Sequence, residues 1–143
     1  DQGLTEVDYG DWSGKKLTVL SRNKLWPTVQ NTPTHMYFPS GEGILQMQTR
    51  ALHSIHSNID PKASGVLVVV SHGDVIKAIL ASALGMHLDE FQRIIIDPCS
   101  VSIVEFSTSK PRTLLINDTR AVVTDLLTSK KRHRNQLGGG SGK

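Results

Sequence analysis

Residues 66–74, Val-Leu-Val-Val-Val-Ser-His-Gly-Asp, constrain this chain more than any other segment. Five consecutive apolar residues suit a strand covered on both faces, the pattern of a parallel sheet. In such sheets ligands gather just past the carboxyl ends of the strands, which is where His72 falls. Residues 75–84 read as a helix closed by Gly85, so its unpaired first-turn amides turn back toward His72. An imidazole beside free amides suits a phosphate. Taken alone, a histidine after a strand is most often a loop residue or a satisfied core donor.

A second segment lies near the amino end. Residues 3–14 carry the acids Glu6, Asp8 and Asp11, the aromatics Tyr9 and Trp12, and three glycines, with no sustained period. Such a segment reads as a shaped loop. Glycine lets backbone approach a ligand closely, and a carboxyl held against Tyr9 or Trp12 has its pKa raised toward the range of a general acid. The plainer reading of the same residues is a Gly-Asp turn.

Together the two segments resemble the histidine phosphatase superfamily, which includes the cofactor-dependent phosphoglycerate mutases and many small phosphatases. The residues that carry the resemblance are the Leu-x-Glu-x-x-aromatic-Gly-x-x-x-Gly loop from Leu4 to Gly14 and the Ser71-His72-Gly73 end of the apolar run. Gly41, Glu42 and Arg50 match a Gly-Glu and Arg element that opens the intervening helix. The wording of residues 6–14, 71–86 and 91–102 is most similar to a phosphomutase subfamily. The resemblance spans residues 1–120 as the carboxyl-terminal part of one domain, and leaves 121–143 as a basic, Gly-rich flexible tail.

The family's phosphate-accepting histidine stands in an Arg-His-Gly motif after the first strand, and this sequence has no such motif. Arg132-His133-Arg134 has arginine where glycine is needed and sits in a charge run. The chain opens on Asp1, directly at the acid loop, so the expectation is a carboxyl-terminal piece of a longer protein.

The resemblance implies an α/β fold: a three-layer α/β/α sandwich around a mainly parallel sheet, with the amino-terminal strands missing. It implies phosphoryl transfer through a phosphohistidine, by a phosphatase or phosphomutase acting on a small phosphorylated metabolite. Mapped onto this chain, His72 is the second histidine of the phosphate pocket and Glu6 donates the proton to the leaving oxygen. Gly73, Tyr9, Glu42 and Arg50 are the implied substrate-binding residues. Without its nucleophile the polypeptide alone is expected to be inactive, and the rival reading is a phosphate-binding fragment or pseudoenzyme without turnover. A serine hydrolase built from Ser71, His72 and Asp74 fails, because residues so close in sequence cannot align as nucleophile, base and orienter around one substrate.

Size and charge agree with part of a single domain. A chain of 143 residues with 38% hydrophobic content fills one core and no second. Net charge is +3, but Lys130, Lys131, Arg132, Arg134 and Lys143 follow the last acid, and without those five the remainder stands at −2. The basicity belongs to the tail, where no aromatic residues interleave with it, so no nucleic-acid partner is expected. No apolar stretch is long enough to span a bilayer, so no membrane partner is expected either. Cys99 is the single cysteine, which excludes an internal disulfide framework and fits a reducing cytoplasm; its place before a strand suits a buried structural thiol. His53 and His56 share a helix face, but no further ligand recurs in register, so neither a metal nor another cofactor is expected.

The remaining elements follow from periodicity. Leu17, Leu20, Leu25 and Trp26 give a modest helical signal over 15–26, ended by Pro27. Residues 31–41 are rich in breakers and carry Tyr37 and Phe38, either to wall a substrate pocket or to pack over the core. Residues 42–58 form a better helix, with Ile44, Leu45, Met47, Ala51, Leu52 and Ile55 on one stripe and Glu42 in the first turn. A short helix near 88–93 precedes two strands, 101–106 and 113–117, joined as a hairpin through 107–111.

Overall fold

The computed structural model describes residues 1–60, 65–106 and 110–120. The expected tail, and residues 107–109 of the hairpin connector, lie outside the described residues.

Two helices organise the molecule. Helix α3 (Ile44–Asn58) begins after Gly43, whose amide donates to the Gln46 side chain at 3.0 Å, and buries Ile44, Met47, Ala51, Ser54 and Ile55. Leu45 falls off that stripe and is exposed, and Glu42 stands before the helix cap, not in the first turn. Helix α4 (Gly73–Leu84) buries Val75, Ala78, Leu80 and Ala81 against α3 and the core. It ends as expected at Gly85, whose φ of 69° is the left-handed conformation that a side chain penalises.

The weak helical signal over 15–26 resolves into two short pieces, α1 (Leu17–Leu20) and α2 (Trp26–Asn31). Pro27 opens the second piece and does not end the first. At the start of a helix its missing N–H costs nothing, because that amide has no intrahelical partner. Residues 31–41 take the packing alternative: Pro33, Met36 and Phe38 are buried, while Tyr37 stays exposed. Phe38 meets Tyr9 and Trp12 edge-on at 5.1 and 5.3 Å, and Trp12 stacks on Trp26 at 6.3 Å. This aromatic cluster closes the core beneath the amino-terminal loop. Residues Leu88–Arg93 form a 3₁₀ turn that sinks Leu88 and Phe91 beside α4.

Strands β1 (Val101–Glu105) and β2 (Arg112–Asp118) pair antiparallel, with irregularities between Val101 and Val104. Among the described residues this hairpin is the paired part of the sheet. Residues 66–70 do not form the expected strand. They pair with no strand among the described residues, and Val66, Val68 and Val70 are 69%, 71% and 90% exposed. An apolar run becomes a buried strand only when hydrogen-bonding neighbours exist on both sides, and here none is described. Cys99 is also corrected: it is exposed, with φ of 62° in the turn before β1.

Candidate active site

The amino-terminal loop is built before it is chemical. Two short 3₁₀ turns, Gln2–Leu4 and Gly10–Trp12, flank Glu6. The first turn is fastened to α3, where Ser54 Oγ donates to Asp1 Oδ2 and Asp1 Oδ1 accepts the Gly3 amide. The second is pressed against residues 39–41. A Cβ on Gly10 would lie 2.1 Å from the Pro39 carbonyl, and one on Gly41 would lie 2.2 Å from the Asp8 carbonyl. With Gly10 also at φ 50°, glycine is required there by both space and conformation.

Arg50 is the centre of this assembly. Its Nη1 donates to the carbonyls of Gly3 and Thr5, both at 2.9 Å, with Gln2 farther at 3.4 Å. Its Nη2 donates to the Glu6 carbonyl and to Glu42 Oε1, and Nε donates to Glu42 Oε2. Glu42 in turn accepts the Asp8 amide at 2.9 Å. A guanidinium has five N–H donors, and all five are committed to the protein's own groups. The structure therefore gives Arg50 and Glu42 the work of holding the loop. Burial alone would raise the Glu42 carboxyl, but the Arg50 hydrogen bonds and the Asp8 amide outweigh it and hold the group below its ordinary range.

The other expected site residues do converge. His72 caps α4 with extended backbone, its carbonyl accepts the Ile76 amide at 2.9 Å, and it is exposed. Gly73 faces open space, since a Cβ there would meet nothing within 4 Å. Two hydrogen bonds join this helix start to the acid loop. Ser71 Oγ donates to the Leu4 carbonyl at 2.7 Å, and Tyr9 Oη donates to Asp74 Oδ2 at 3.0 Å. Ser71 and Asp74 flank His72 in sequence, and Leu4 and Tyr9 flank Glu6. The acid and the histidine are thus bracketed together.

Electrostatics sharpen the arrangement. Burial raises the Glu6 carboxyl above its ordinary range and Asp74 adds to that, while the Val7 amide, His72 and Arg50 pull it back. Burial, Asp74 and Glu6 together push the Tyr9 phenol well up, so Tyr9 is a hydrogen-bond donor and not an ion. Asp74 also receives Lys77 Nζ at 3.5 Å, and Lys77 reaches Gln92 at 3.2 Å. Among these groups, sequence reasoning missed Asp74 as a partner of Tyr9, because the pair is 65 residues apart and only the fold brings them together.

A shallow depression along α3 is lined by Glu42, Leu45, Gln46, Thr49, Arg50 and His53, and neither Glu6 nor His72 lines it. Among the described residues no group of three or more His, Cys, Asp or Glu is placed to hold a metal ion, and no helix is long and apolar enough to cross a membrane.

The family model of the histidine phosphatase superfamily (branch 1) matches residues 1–119. This chain belongs to that superfamily. Among solved structures, it is similar to Bacillus stearothermophilus YhfR at 27% identity and a TM-score of 0.73, covering 82% of this chain and 60% of that one. It is also similar to the alpha-ribazole phosphatase of Shigella flexneri, at 19% identity and a TM-score of 0.65, covering 79% and 57%. A mutant phosphoserine phosphatase from Entamoeba histolytica, in complex with phosphoserine, is similar at 17% identity and a TM-score of 0.74, covering 84% and 61%. The chain therefore spans about three fifths of the length of these relatives, and it shares their α/β fold over that length. No match is found among curated proteins.

Proposed function

We propose that this chain carries the proton-donor and second-histidine part of a phosphohistidine phosphoryl-transfer site acting on a small phosphorylated metabolite in the cytoplasm. The observation that supports the reading is the bracketed pair: Glu6, whose proton burial holds more tightly than usual, beside the exposed His72 at the start of α4. His72 and the Gly73 amide meet the equatorial oxygens of the transferring group, an arrangement that a helix amino end favours. Glu6 gives its proton to the leaving oxygen as the bond from phosphorus to that oxygen breaks. Tyr9, fixed by Asp74, borders the substrate space.

The nucleophile that forms the bond to phosphorus belongs to an Arg-His-Gly motif, which these 143 residues do not contain. Water then hydrolyses the phosphohistidine in a phosphatase, whereas a second substrate hydroxyl takes the phosphoryl group in a mutase. The similar solved structures named as phosphatases favour water. The missing motif favours a second reading for the polypeptide by itself, phosphate binding without turnover.

The test is p-nitrophenyl phosphate hydrolysis without added metal, measured on this chain and on the chain joined to an upstream segment ending in Arg-His-Gly. Turnover only in the joined protein is the expected result. Robust activity of the chain alone that survives repurification overturns the reading.

A further inference from the structure

Asp74 is the first acidic residue of α4, yet its carboxylate does more than complement the helix dipole. One oxygen accepts Tyr9 Oη at 3.0 Å, and the other faces Lys77 Nζ at 3.5 Å, with both side chains of the ion pair only 19% exposed. Lys77 is held from its far side by Gln92 in the 3₁₀ turn after α4. The carboxylate is thus fixed by groups from two elements and points its remaining influence at the loop that carries Glu6. The Glu6 carboxyl accepts the Val7 amide, and the charges that bear on it are those of Asp74 and His72 from the α4 start and of Arg50 from α3. Asp74 is the one anion among them.

We infer that Asp74 is a positioning residue for the general acid: through Tyr9 it docks the Glu6 loop onto the start of α4, and it sets a fixed negative charge beside Glu6. The inference rests on the role proposed for Glu6, but the hydrogen bond and the charge contact are independent of turnover. Tyr9 acts as the strut. Its hydroxyl bonds Asp74 while its ring packs edge-on against Phe38, so the same side chain ties the loop to α4 and to the core. Ser71 provides the second tie through the Leu4 carbonyl, which leaves the loop in place when the charge alone is removed. The role of Asp74 is therefore separable into a charge and a hydrogen bond.

The experiment uses the chain itself, with the Glu6 side-chain carboxyl followed by ¹³C NMR against pH. Asp74→Asn removes the charge and keeps an acceptor for Tyr9, so the Glu6 titration moves down toward the ordinary carboxylate range. Tyr9→Phe keeps the ring and removes the hydroxyl, so hydrogen exchange of the Asp11 and Trp12 amides accelerates about fivefold, the effect of one net hydrogen bond, while α3 amides are unchanged. A Glu6 titration unmoved by Asp74→Asn overturns the charge role, and unchanged loop exchange in Tyr9→Phe overturns the strut. Failure of the functional reading is seen elsewhere, as a joined protein without turnover whose Glu6 still responds to Asp74→Asn.

Discussion

Arg50 Nη2 lies 2.5 Å from Glu42 Oε1, and this ion pair is the knot through which the whole acid loop is tied to α3. Both side chains are partly buried, and the guanidinium spends its other donors on loop carbonyls, so removing it strands several acceptors at once. A lost hydrogen bond in water is cheap, but acceptors left without partners at a partly buried seam cost more.

Arg50→Ala is accordingly expected to destabilise the chain by roughly 2–3 kcal/mol. Arg50→Lys should recover less than half of that, because one ammonium cannot reproduce a planar five-donor fork. Urea midpoints of the three proteins check both statements, and equal midpoints for lysine and arginine would show that charge alone ties the knot.

The two loop carboxyls predict opposite pH effects. Glu42 titrates below its ordinary range when folded, so it contributes stability above the unfolded value that is lost as pH falls through the folded one. Glu6 titrates above its ordinary range when folded, so its ionisation costs stability as pH rises out of the acid range. Glu6→Gln should thus stabilise the protein at pH 7 and leave it unchanged well below the unfolded carboxylate range. Glu42→Gln should lower stability at pH 7 and flatten the acid limb. Denaturant melts across pH 3–8 distinguish the two curves.

The exposed run 66–70 predicts association. Val66, Leu67, Val68 and Val70 present an apolar edge whose backbone has no strand partner among the described residues, the condition that draws a second chain to pair. The isolated chain is expected to oligomerise at micromolar concentration by light scattering, and Val68→Lys with Val70→Lys should reduce it. A monodisperse monomer with a sharp cooperative melt would contradict this expectation.

Leaving-group dependence separates Glu6 from His72 in the joined protein. An aryl phosphate departs without help, so Glu6→Gln should cost little there and about 10²- to 10⁴-fold with an alkyl phosphate, whose basic alkoxide needs the proton. If the proposed roles hold, His72→Ala should slow both, because the phosphoryl charge assigned to it is common to them. Equal losses for Glu6→Gln in single-turnover rates on the two classes would remove it from the acid role.

Helices α3 and α4 and the hairpin were legible in the amino-acid sequence because burial repeats along them at helix or strand period, and Gly85 marks its own left-handed cap. Glu6 and His72 were legible only as motif members. Their convergence depends on Tyr9 with Asp74 and Ser71 with Leu4, pairs more than 60 residues apart that no local period encodes. The run 66–70 misleads for a related reason: composition reports the capacity to form a strand, while the outcome depends on what is there to pair with it. What Arg50 holds within the chain was not legible either, since its bonds to the Gly3, Thr5 and Glu6 carbonyls join residues more than 40 positions apart.

The contact of Gly10 with residues 39–41 has a mechanical consequence. Two stretches of backbone meet there with no side chain between them, and the Asp11 amide donates to the Pro39 carbonyl across the seam at 2.8 Å. Side chains bend and absorb a displacement, whereas peptide planes in direct contact pass it on. A displacement of the segment 36–42, on which the exposed Tyr37 and Ser40 stand, is therefore expected to carry the acid loop with it, because backbone meets backbone at the seam.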